Sequence, residues 1–136
     1  MAQAALQEYG FVDPTTKENR SKLAKMIMRL FEHWDIPVAD QLELLGQSPK
    51  SRNLLGKYRK GEPLPAGRDS MDRVGYLLSI HSSLQTLFPE NPNLVYKWPH
   101  VRNQAFAGRT PLEVMKEEGH LGLIKVAWHL QTRLSR

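Results

Sequence analysis

The chain has 136 residues, no cysteine, and a formal charge of +5 from 19 Lys and Arg against 14 Asp and Glu. Its length fits one domain, or two small ones sharing a core, and 40% apolar residues suffice to build that core. The missing cysteines exclude disulfides, thiol catalysis and cysteine-ligated zinc. No run of about 18 apolar residues is present to span a bilayer, and no charged-then-apolar leader opens the chain, so it reads as cytoplasmic. The positive balance mildly favours an acidic partner.

Met1 to Glu18 carry no sustained period, and Gly10 and Pro14 interrupt them. The expectation there is a loose arm, residues 1–18, with at most a short turn near Ala5 to Tyr9. A helix fits Asn19 to Trp34, where Leu23, Met26, Ile27, Leu30, Phe31 and Trp34 recur at helical spacing; Asp35 and Pro37 end it. Val38 to Leu45 reads as a short helix stopped by Gly46. Ser48 and Pro49 carry the cap and first-turn signals of a further helix, expected to run to Lys60 and stop at Gly61. Glu62 to Arg68, with two prolines and a glycine, is a loop. Asp69 or Ser70 caps a long helix through Leu87, with Met71, Val74, Leu77, Leu78, His81, Leu84 and Phe88 on one stripe. Pro89 and Pro92 break it, and Asn91 caps a short helix from Pro92 to Lys97. Asn103 to Gly108 reads as a turn or a single helical loop. Thr110-Pro111-Leu112-Glu113 is a capping box, with a hydroxyl at the cap, proline at the first position and a carboxylate two residues on. The helix it starts ends at Gly119. A last helix places Leu123, Ile124, Ala127, Leu130 and Leu134 on one side. No segment alternates as a strand does, so the fold class is all-α.

The pair Val38–Leu45 and Pro49–Lys60 reads as a helix-turn-helix, within a unit spanning residues 19–68. Between Pro49 and Gly61 stand Lys50, Arg52, Lys57, Arg59 and Lys60, with no acidic residue. At about 100° per residue, Ser51, Leu54, Leu55 and Tyr58 share one face, and Arg52, Asn53, Gly56, Lys57 and Lys60 the other. The first face can pack inward. On the second, Arg52 can pair with guanine and Asn53 with adenine, while Lys57 and Lys60 suit phosphate; Lys50 precedes them. Gly56 is costly in a helix by about 1 kcal/mol relative to alanine. Either close approach to a phosphate backbone or local loss of helix explains it. A solvated basic face on an ordinary helical domain is the plain alternative.

Asn93 to Leu130 is the most distinctive stretch. It holds Trp98-Pro99, then Phe106-Ala107-Gly108-Arg109-Thr110-Pro111-Leu112-Glu113, then Gly119 and Gly122, then an amphipathic helix. This stretch resembles the C-terminal toxin-binding domain of the Xre/MbcA/ParS antitoxin family. Trp34 to Pro65, with L-E-L-L-G-Q-S and Y-R-K-G-E-P-L-P, is similar to the Xre-like part of the same family, and Arg73 to Pro89 resembles its connecting helix. Tyr58, where tryptophan is common, and Gly56 depart from the pattern. The resemblance implies an N-terminal helix-turn-helix followed by a small helical toxin-binding domain, residues 69–136. It further implies a partner toxin of the RES type, which attacks NAD and whose active-site cleft the antitoxin covers, and repression of the shared operon through operator DNA. A homodimer within a larger toxin–antitoxin complex is the expected assembly.

Within the C-terminal part, Trp98, Phe106 and Trp128 are large apolar groups, with Trp98 and Trp128 expected in the core. Arg102, Phe106, Arg109, Arg133 and Arg136 are the residues expected to meet a toxin, because arginine forks pair well with carboxylates. Catalytic patterns are lacking. His33, His81, His100, His120 and His129 are scattered, with no pair at metal-ligand spacing beside a carboxylate. Glu117 and Glu118 are adjacent, so on a helix they diverge by about 100°. Gly119-His120-Leu121-Gly122 is no phosphate loop. The chain is therefore read as a non-enzymatic antitoxin without cofactor or metal. The alternatives are a stand-alone helix-turn-helix regulator with a C-terminal dimerisation domain, and a small helical adaptor with no DNA role.

Overall fold

The longest uninterrupted helix, α5 (Arg68–Leu87), is the spine against which α1 (Ala2–Glu8), α2 (Lys17–His33), α6 (Pro92–Lys97) and α7 (Pro111–Leu134) pack. The computed structural model describes residues 2–135, and of Gln3 the backbone alone. Two more short helices, α3 (Val38–Leu44) and α4 (Asn53–Arg59), and two single 3-10 turns, Trp98–His100 and Gln104–Phe106, complete the described residues, which hold no strand. None of these helices is long and apolar enough to cross a membrane.

One apolar cluster runs from Leu6 of α1 to Leu130 of α7 and includes Leu23, Ile27, Phe31, Trp34, Leu42, Leu55, Leu77, Ile80, Met115 and Leu123. Residues 19–68 and 69–136 therefore share a core. Each fully buried Leu or Ile in it contributes about 1.5–3 kcal/mol relative to exposure.

The N-terminal segment departs from the loose arm expected of it. Ala2, Ala5 and Leu6 are buried, and so is Phe11 just beyond the helix. Tyr9 Oη donates to the Leu78 carbonyl at 3.4 Å. Close packing explains this: a Cβ at Gly75 would stand 2.6 Å from the Ala2 carbonyl oxygen, so the absent side chain lets α1 lie on α5. A seven-residue helix is unstable alone and owes its existence to such packing.

Of the expected caps, those at Asn91 and Thr110 hold, but neither Asp69 nor Ser70 caps α5: that helix starts at Arg68 with Gly67 at the cap and no side-chain bond there, and Asp69 pairs with Arg73 instead. Thr16 caps α2 by accepting from the Asn19 N–H, and α2 ends at Asp35 in the left-handed region, φ 52°. Asn91 caps α6 through the Leu94 N–H. Thr110 Oγ1 accepts from the Glu113 N–H at 3.1 Å, and Glu113 accepts from the Thr110 N–H at 3.4 Å.

Within α7, Gly119 has φ 60° and ψ −134°, so the element is two limbs, 111–118 and 120–134, joined at a sharp corner. The corner is tight. A Cβ at Gly122 would lie 2.3 Å from the Val114 carbonyl oxygen, so the second limb crosses the first at a point only glycine permits. The first limb is fastened to α3 by Lys116 Nζ and Asp40 Oδ1 at 3.0 Å, and that partner raises the Lys116 pKa.

Candidate partner and nucleic-acid interfaces

Helix α4 starts later than its sequence pattern suggests. The Ser48 hydroxyl accepts from the Lys50 N–H at 3.2 Å, and Ser51 N–H donates to the Ser48 carbonyl at 2.9 Å. This makes a capped turn at Pro49-Lys50 that does not propagate. The next backbone bonds, Leu54 to Ser51 and Leu55 to Arg52, span three residues rather than four. Four-residue helical bonding is established only from Asn53, because a short segment gains too few bonds to offset nucleation. Residues 45–52 thus separate α3 from α4, a longer link than the ~3–4-residue turn of a compact helix-turn-helix.

The two faces of α4 sort as the wheel requires. Leu55 and Tyr58 are buried, and Lys50, Arg52, Asn53, Lys57 and Lys60 are all exposed. Arg52 and Lys60 flank the helix at its two ends, and Lys50 stands in the turn before it. The helix is regular through Gly56, so local loss of helix does not account for that glycine. A Cβ there would meet no atom within 4 Å, so crowding inside the molecule does not account for it either.

The second surface is built on the second limb of α7 and the loop before the first. Asn103 organises that loop. Its side chain accepts from the Ala105 N–H at 2.9 Å, its carbonyl accepts from Gly108, and its N–H donates to Arg109. Ala107 and Gly108 complete the turn with φ of 58° and 82°. The loop and α7 enclose a groove of about 440 Å³ lined by Phe106, Arg109, Lys125, Trp128, His129 and Thr132. Phe106 packs edge-on against the His129 ring at 5.1 Å, and His129 stacks on Trp98 at 6.5 Å. Burial, and then the charge of Arg133, hold the His129 pKa below its ordinary value.

The expected toxin-facing residues fare differently. Arg102 is exposed and donates to the Gly108 carbonyl at 3.2 Å. Phe106 is buried, so it forms the floor of the groove rather than a projecting contact. The Arg109 guanidinium is already paired, with Glu117 and Glu118, both at 3.0 Å. Those carboxylates raise its pKa. Lys125 pairs with the other oxygen of Glu118, and the Glu118 pKa is lowered first by Lys125 and then by Arg109. Arg133 is exposed and lies within α7, which continues to Leu134. Gln131 to Leu134 thus belong to the helix. Arg136 lies outside the described residues.

Trp98 is buried as expected, but Trp128 is not: it is 60% exposed, and Leu121, seven residues earlier on the same limb, is 55% exposed. The signal was in the spacing. At about 100° per residue, Trp128 points roughly 160° away from Leu130, which faces the core. Leu121, Lys125, Trp128 and Thr132 thereby form an exposed stripe along the limb. No protein-family model matches the chain, and no curated protein matches it.

Proposed function

We propose that the chain is an antitoxin that neutralises a RES-type, NAD-degrading toxin through the C-terminal surface and represses its own operon through α4. The observation that carries this reading is the exposed Leu121–Trp128 stripe beside a groove with Arg109 and Lys125 on its walls. A tryptophan this exposed on a rigid helix has the make-up of a binding hot spot: a large apolar anchor with polar groups around it. Glu117 and Glu118 neutralise Arg109 and Lys125 and fix the groove walls, so the positive charge offered to an acidic rim on the toxin is that of Arg102 and Arg133 beside them. The resemblance of Asn93 to Leu130 to the Xre/MbcA/ParS toxin-binding domain points to the same end of the chain. The exposed Lys50, Arg52, Asn53, Lys57 and Lys60 support operator binding, with a homodimer of the antitoxin inside the larger complex.

Co-expression with a RES-type toxin tests the reading. Trp128→Ala should leave the melting temperature nearly unchanged, because the ring is mostly in solvent. It should weaken the complex by about 2 kcal/mol or more, some 30-fold, and abolish growth rescue at equal abundance. Rescue and co-elution equal to wild type would refute the assignment. A stand-alone regulator would instead cover the stripe with a second copy of itself, and Trp128→Ala would then convert a dimer to a monomer on size exclusion without a toxin present.

A further inference from the structure

A groove of about 740 Å³ lies away from the C-terminal surface. It runs between α2 and α4, with Lys25 and Arg29 on one wall and Arg59 on the other. We propose that it seats a stretch of DNA backbone on the flank of α4 opposite Lys57, with these three cations as phosphate ligands. This rests on the reading of α4 as a DNA-binding helix and extends its footprint to α2, which the sequence did not suggest.

The charges there have no internal use. Among the described residues, Arg73, Arg109, Lys116 and Lys125 are each paired with a carboxylate, and Arg20 donates to the Leu64 and Thr15 carbonyls. Lys25, Arg29 and Arg59 make no ion pair with any described residue. They come from two helices and line one groove.

Lys25 also touches α4. Gly61, φ 98°, ends α4, and a Cβ there would stand 2.8 Å from Lys25 Cε, so the Lys25 stem lies against the turn that closes α4. At about 100° per residue, Arg59 lies on α4 between buried Leu55 and Gly56, while Lys57 lies on the far side of Gly56. A duplex approaching the open side of Gly56 would meet cations on both flanks, as backbone-positioning contacts require.

The groove is not uniformly basic. Glu32 and Asp35 also line it. Their charges repel phosphate, so they bar the backbone from part of the groove and confine it to the cationic part. This predicts an opposite sign for their removal.

The test uses the full chain, with an operator fragment and a scrambled duplex titrated by fluorescence anisotropy between about 50 and 200 mM salt. Arg29→Gln and Arg59→Gln keep most of each stem and so spare the fold, which a melting curve checks. Each should weaken both duplexes by the same factor and reduce the slope of log affinity against log salt by about 0.9, the value of one phosphate contact. The operator-to-scrambled ratio should not change, and Glu32→Gln should tighten both duplexes. Salt lines identical to wild type for the Arg29→Gln/Arg59→Gln variant, with Arg52→Ala still weakening the operator, would overturn the groove and leave α4 standing. A changed operator-to-scrambled ratio would make these residues base readers and overturn the phosphate role. Wild-type protein that binds neither duplex would overturn both readings.

Discussion

Replacing Gly56 with alanine separates what α4 gains as a helix from what it does as a surface. Gly56 is the fourth of seven residues in α4 and has no left-handed backbone requirement. No atom lies within 4 Å of the position its Cβ would take. Alanine therefore adds helix propensity, worth about 1 kcal/mol, with no steric cost. For a chain of this size that is roughly a 3–5 °C rise in melting temperature. If α4 brings its backbone close to phosphates at Gly56, the added methyl group stands in the way, and operator affinity falls while stability rises. Thermal melts followed by circular dichroism and gel shifts on the same preparations read both. A lower melting temperature would refute the regular, uncrowded helix at this position. A higher one with unchanged operator binding would refute close backbone approach and leave the glycine without a role in DNA contact.

Thr110→Ala removes one half of a capping box that is complete at both bonds, and should cost about 0.5–2 kcal/mol in a denaturant melt. Gly122→Ala should destabilise by about 1–3 kcal/mol, since the new Cβ would sit 2.3 Å from the Val114 carbonyl oxygen; a melt equal to wild type would mean the two limbs of α7 do not cross there. Burial, reinforced by His33, lowers the pKa of His81, which sits edge-on to Trp34 at 6.4 Å and stacks on Tyr96 at 6.3 Å. The fold thus holds His81 neutral while the unfolded chain takes up the proton first, so this stability is complete above the ordinary value of 6.5 and is lost as the pH falls below it. Melting temperatures should drop between about pH 7 and pH 5, and His81→Phe should make that drop shallower.

The helical class was legible because its signals are local. Thr110 to Glu113, Asn91 with Pro92, Gly46 and Gly119 each fix a helix end through bonds made within a few residues, and each acts where its sequence placed it. What was not legible depends on distant partners. Helix α1 exists because Gly75, far along the chain, leaves room for it. The late start of α4 is a competition between two weak local structures, which cap residues alone do not decide. Arg109 reads as a free fork until the first limb of α7 brings Glu117 and Glu118, two turns further on, back to it. Trp128 was misread for a different reason. Its size suggested core, although its angular position relative to Leu123 and Leu130 places it outside.

The two surfaces are distinct in space but share one support. The first limb of α7 grips α3 through Lys116 and Asp40, and the same limb carries Glu117 and Glu118, which position the cations of the C-terminal groove. From the other side, Arg73 Nη1 reaches the Glu43 carbonyl at the end of α3 while its Nε pairs with Asp69, which also meets His120 just past the corner of α7. A substitution in this set therefore disturbs the placement of α3 and of the groove together, whatever either surface binds. It cannot tell a DNA defect from a toxin defect. Trp128 and Arg52 take no part in these bonds, and each stands largely in solvent on its own surface. They are the positions at which the two proposed activities should come apart: a variant altered at one should retain the activity proposed for the other.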